Sequence, residues 1–164
     1  MSERASSLAA AFEQANDAVI SAVEGCTEDQ LQNVCNGEGW SVAVAAHHIA
    51  TAHTSFAELL RQVANGQDIP AITMEMIDAA NARHAEEHAS IGRDEILTAL
   101  RTNGAAAAAT IRDLSDEQLD RTAPISFAGG APWSAADIIE RTLIGHALGH
   151  GLSIREAVAR VAVA

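Results

Sequence analysis

The chain uses one phrase twice, and that duplication limits its fold more than any other feature. "TEDQL" (27–31) and "SDEQL" (115–119) each lead through a loop to a Trp-Ser pair, Trp40-Ser41 and Trp133-Ser134. Behind each pair runs a helix-forming stretch that carries histidines, "VAVAAHHIATAH" in the first half and "AADIIERTLIGHALGH" in the second. His53 and His146 stand at the same offset from their tryptophans. A helix, a short capped turn, a loop and a second long helix, used twice, predict two helical hairpins. Two hairpins that bury their apolar faces on each other make a four-helix bundle, an all-α fold.

The local signals agree. Thr27 and Ser115 each precede a glutamine by three residues, the spacing of a capping box, and Ser41 and Ser134 are good N-caps for the stretches behind them. These signals predict long helices over 3–24 (closed by Gly25), 42–64 (closed by Gly66), 93–113 and 135–161. Pro70 opens a further helical stretch, interrupted at Ser90 to Gly92. Gly104, inside "NGAAAAA", is a weak point in the third long helix. The apolar fraction is 48%, yet only 3% of residues are aromatic and tyrosine is absent, a balance that suits packed helices better than pleated sheets. At 164 residues the chain is expected to form one domain, 1–164, with a sizeable core.

Charge narrows the function classes. Twenty-two acidic residues face ten basic ones, all arginine, for a net charge of -12. Such a surface repels phosphate backbones and anionic lipid, so neither nucleic acid nor membrane is an expected partner. The N-terminal "MSERASSLAAAF" lacks a basic start and a long apolar run, and the reading is a soluble, cytoplasmic protein. In a reducing compartment a structural disulfide is not expected, and Cys26 and Cys35 read as small semi-buried hydrophobes, with a reactive thiol as the alternative. The motifs G-x-G-x-x-G and G-x-S-x-G are absent, and a chain without lysine has no P-loop.

The histidines carry the remaining chemistry. On the last helix Ile139, Leu143, His146, His150, Ala157 and Val161 share a stripe at helical spacing, which turns both imidazoles toward the bundle interior. Each needs a partner there; a metal ion serves both, and a satisfied core pair is the other reading. Gly145 and Gly149 lie beside this stripe, where close approach of a helix or a ligand would explain them. On the second helix the stripe Val42, Ile49, Phe56, Leu60, Val63 passes close to His53, with His48 at its edge and His47 on the far side. "HAEEH" (84–88) matches the H-x-x-E-H signature of much larger zinc peptidases. In an acidic stretch His84 and His88 are expected instead on a solvated face with incidental metal affinity. No Glu-x-x-His occurs, which removes the di-iron bundles.

Trp40-Ser41 with His48 eight residues after the Trp, the connector "LSDEQLDR" (114–121), "DAANARHAEEHA" (78–89) and the late pair His146 and His150 resemble the DinB-like superfamily. That superfamily includes thiol-dependent S-transferases and the N-terminal domain of mycothiol-dependent maleylpyruvate isomerase, and the resemblance spans nearly the whole chain. It implies a four-helix bundle with a divalent ion, zinc or nickel, held by His48, His146 and His150. His53 is the rival of His48, and His47 is read as a surface residue. "GLSIRE" follows His150 where many members carry a further His and an Arg-Gly-Gln run, so substrate contacts are not carried over from there.

Three neutral ligands leave an open position for water or thiolate. The resulting expectation is a metal-dependent thiol S-transferase or isomerase that uses a low-molecular-weight thiol on a small electrophilic substrate. The alternatives are a metal-dependent hydrolase and a non-catalytic, metal-stabilised, stress-associated binding protein. Helix reckoning offers Asp78, Asn81 and Glu140 as the nearest candidates for a general base, and an apolar bundle face suggests a homodimer.

Overall fold

The computed structural model describes residues 2–160. Four long helical segments form the bundle: α1 (Glu3–Gly25), α3 (Val42–Ala64), α5 (Arg93–Arg112), and a final rod of α7 (Ala135–Ile138), a π turn (Ile139–Ile144) and α8 (Gly145–Ala159). Two one-turn helices, α2 (Glu28–Leu31) and α6 (Asp116–Asp120), occupy the repeated phrase, and α4 (Met74–Glu87) lies between the second and third long segments. Val161, assigned by sequence to the last stripe, lies outside the described residues.

The capping residues act as their chemistry dictates. Thr27 with Gln30 and Ser115 with Gln118 close full capping boxes, and the Ser41 hydroxyl accepts from the Val44 amide at 3.2 Å. Each satisfies amides that a helix start leaves unpaired. One boundary differs from the sequence reading: Thr73, not Pro70, caps α4, because its hydroxyl accepts from the Met76 amide.

The packing refines the two-hairpin picture. α5 lies against both α1 and α3, and so does the last rod, whereas α1 and α3 barely touch. The two long helices of each half therefore sit diagonally, and the repeat is interleaved. Within each half the loop before Trp-Ser closes on itself. In the first, Val34 bridges Ser41, and in the second β1 (Thr122–Ile125) pairs antiparallel with β2 (Ala131–Ser134). That hairpin turns at Gly129 and Gly130, both at positive φ, where a side chain would be strained.

Two apolar clusters fill the bundle. One gathers Val19, Ile49, Leu100 and Ile154; the other gathers Phe12, Leu60, Ile111 and Leu143. A polar layer separates them. Asn16 Nδ2 donates to the Leu100 carbonyl at 3.0 Å, its Oδ1 pairs with His53 Nε2 at 2.9 Å, and Phe12 meets the His53 ring edge-on at 4.9 Å. His53 is thus a satisfied core residue. Gly104 is required at this level, since a Cβ there would overlap Nδ2 of Asn16 and lie 3.1 Å from its Cγ.

The π turn was not legible in the sequence and changes which residues face inward. Ile138 is buried before it, Leu143 within it, and Ala147, Gly151 and Ile154 after it, so His146 and His150 stand half-buried at the edge of the stripe rather than on its centre. The wider turn adds about one residue per turn, which rotates the following helix. Its Glu140 carbonyl accepts from the Gly145 amide and would lie 3.1 Å from a Cβ at Gly145. Gly149, by contrast, meets nothing within 4 Å.

Candidate metal centre

The first loop of the repeat builds one side of the site. Cys35 donates its amide to the Trp40 carbonyl at 2.8 Å, Val42 donates to Asn33 at 2.9 Å, and Gly39 turns the chain at φ 72°. This braced loop carries Glu38 and Trp40. Glu38 Oε1 lies 2.5 Å from His150 Nδ1, and Trp40 stacks on His150 (ring centroids 6.4 Å apart) while meeting His48 edge-on at 5.0 Å. Sequence reasoning missed Glu38, because a loop residue carries no helical period. Of its own candidates, Asp78 and Glu140 are exposed and only Asn81 borders the cavity.

His48 from α3 meets His146 and His150 from α8, and one nitrogen from each lies within 4.8 Å of the others. His48 Nε2 and His146 Nε2 face each other at 3.0 Å. Two neutral ring nitrogens share at most one proton, so this contact leaves His146 Nδ1 to find its own partner, and it is buried without one. An ion between the two Nε2 atoms takes both lone pairs, which a shared proton cannot, while Nδ1 stays unpaired in either arrangement. A tetrahedral zinc with Zn–N near 2.0–2.1 Å separates its ligand nitrogens by about 3.3 Å, close to the 3.0 Å between His48 Nε2 and His146 Nε2. The donor set therefore fits a divalent ion. The Glu38 contact adds the carboxylate–imidazole pairing that fixes a ligand's tautomer and leaves Nε2 free.

Burial keeps two of these rings, His48 and His146, neutral. It lowers His48 to about 4, helped by His150, His84 and His47, and lowers His146 to about 2, helped by His150, His48 and His53. Neutral imidazoles at physiological pH offer the lone pairs that a metal needs.

The three rings stand in the wall of a cavity of about 530 Å³ between α3, α4 and the last rod. Its other walls are largely apolar, with Phe56, Leu59, Ile77 and Phe127, and its uncharged polar groups are Thr51, Ser55 and Asn81. Phe56 also meets His146 edge-on at 5.3 Å. Gly149 borders a shallower recess shared with His146 and His150, the open side of that helix.

Two expectations about histidines need correction. His47, read as a surface residue, is only 7% exposed, because α4 covers it. His84 and His88, expected on a solvated face, are half-buried against it, and nitrogens of these three rings also lie within 4.8 Å of one another. α4 has no fully buried residue, so nothing in its period shows where it docks. The cysteines bear out the apolar reading: both are free and buried, and burial, then Glu38, pushes the Cys35 thiol up to about 11. Among the described residues no helix is long and apolar enough to cross a membrane.

Comparison with known proteins agrees with this fold. A solved structure described as "YfiT from Bacillus subtilis", a probable metal-dependent hydrolase with an unusual four-helix bundle topology, superposes with a TM-score of 0.78. The two share 20% identity over 96% of this chain and 87% of that one, a likeness of fold. No curated protein matches significantly. The family profile described as the DinB superfamily matches residues 11–154, and the chain belongs to that superfamily.

Proposed function

We propose that the chain is a metal-dependent enzyme in which His48, His146 and His150 hold one divalent ion, zinc or nickel, at the wall of the apolar cavity. The observation that carries the reading is the convergence of three imidazoles, one braced by Glu38, beside a space large enough for a small molecule. When bound, such an ion supplies a Lewis acid with an open position at which a thiol or a water loses its proton near neutral pH.

The chain's own residues supply the rest. Glu38 accepts from His150 Nδ1–H and keeps Nε2 turned toward His48 and His146. Trp40 packs on both His48 and His150, so rotation of either ring meets an aromatic wall. The apolar walls exclude water around an electrophile, and Thr51, Ser55 and Asn81 offer hydrogen bonds that orient it. The favoured reaction is addition or transfer of a low-molecular-weight thiol to a small electrophilic substrate, or its isomerisation. Hydrolysis is the second reading, supported by the description of the structural neighbour as a probable metal-dependent hydrolase.

Turnover of the metal-loaded protein on thiol–electrophile pairs, and on ester and amide substrates without thiol, separates the two. Thiol-dependent turnover lost in His150→Ala supports transfer. Thiol-independent turnover lost in the same variant supports hydrolysis. No turnover in either screen, with the ion still bound, contradicts the enzyme and leaves a metal staple between α3 and α8.

A further inference from the structure

We propose that His47, His84 and His88 form a second divalent-metal site, which fastens α4 over the cavity. The site is distinct from the first because His47 and His48 are consecutive residues of α3, and consecutive side chains of a helix diverge by about 100°. His48 turns toward α8, and His47 turns under α4.

Three observations meet here. His84 in the last turn of α4 and His88 at its C-cap both meet His47, with ring centroids 5.1 and 4.3 Å from it and 4.7 Å from each other. One nitrogen from each ring lies within 4.8 Å of the others, close enough for small ring rotations to bring all three onto one ion. Most telling, His47 Nδ1 and His84 Nε2 are both buried without any hydrogen-bond partner. Stacked neutral rings alone would leave two buried polar atoms unsatisfied, and proteins rarely tolerate that. A cation shared among the rings satisfies them together. Three imidazoles suit zinc, nickel or copper, and not calcium or magnesium.

The position gives the site a consequence. Ile77, Asn81 and His84 of α4 line the cavity opposite His48, while the helix itself buries no residue fully. A segment with so little buried surface is held weakly, and a ligand bridging it to α3 holds it where the cavity needs a wall.

The test is a titration of the metal-stripped full-length chain with zinc and, separately, nickel, read by calorimetry and by elemental analysis after desalting. Two equivalents are expected in the wild type, with one lost in His47→Gln and in His88→Ala. The other equivalent is lost in His150→Ala, so failure of one site is distinguishable from failure of the other. His88→Ala changes a half-exposed position and keeps the test valid if His47→Gln does not fold. Amide exchange across 74–88 should slow on binding of the second equivalent and should not respond in His88→Ala. A single equivalent that is lost in His150→Ala would overturn the proposal. So would a second equivalent held equally well in His47→Gln, which would mean only an adventitious His84–His88 pair.

Discussion

Replacing glycine by alanine inside a helix ordinarily stabilises it by about 1 kcal/mol, and Gly104→Ala should do the reverse. A Cβ at Gly104 would overlap Asn16 Nδ2, and the Asn16 side chain sits in the fully packed middle of the bundle. To make room Asn16 must give up its bond to the Leu100 carbonyl, which contributes about 1 kcal/mol. It must also leave His53 Nε2 buried without a partner, which costs about 2 kcal/mol. Against these losses stands the gain in helix propensity, so the net change is about 2 kcal/mol of destabilisation. Gly149→Ala is the matched control, since it also lies inside a helix but its Cβ would meet nothing within 4 Å. It should stabilise by about 1 kcal/mol. Urea unfolding of the three metal-stripped proteins reads both signs, and for a chain of this size the Gly104→Ala midpoint in a thermal scan should fall by about 4–8 °C. A Gly104→Ala protein as stable as the wild type, or more so, would refute the polar layer as described.

The same layer predicts a pH dependence. Burial lowers His53 to about 4 from an ordinary 6.5, so the unfolded chain binds this proton more readily than the folded one. The contribution is fully present above pH 6.5 and is lost as the pH falls toward 4. It amounts to about 2 kcal/mol between pH 7 and pH 5, so the urea stability of His53→Gln should vary less with pH by that amount than the wild type. Equal slopes in the two proteins would contradict it. Glu38→Gln should leave the fold intact and weaken zinc binding at the first site by about 10–100-fold, measured by competition with a chromophoric chelator. Unchanged affinity would remove Glu38 from its orienting role.

The caps and long helices were legible because their signals are local. Ser41, Thr27, Ser115 and Ser134 each act on amides two or three residues away, and each does so here. His146 and His150 were found by their spacing, but not their placement at the edge of the stripe, since a π turn carries no residue code. Periodicity could not show that His53 is a satisfied core residue, because that rests on Asn16, a residue 37 positions away. His47 read as exposed because only α4 covers it, and α4 is too polar to announce a docking face. The β hairpin did have a signal, the Gly129-Gly130 pair between two short segments.

The central claim is that one ion rests on His48, His146 and His150. Metal content after loading and desalting, measured in a His88→Ala background that removes the proposed second site, tests it most directly. One equivalent should remain in His88→Ala and in His88→Ala/His53→Ala, and none in the double variants that add His48→Ala or His150→Ala. Loss with His53→Ala, or retention with His48→Ala and His150→Ala, would contradict the account.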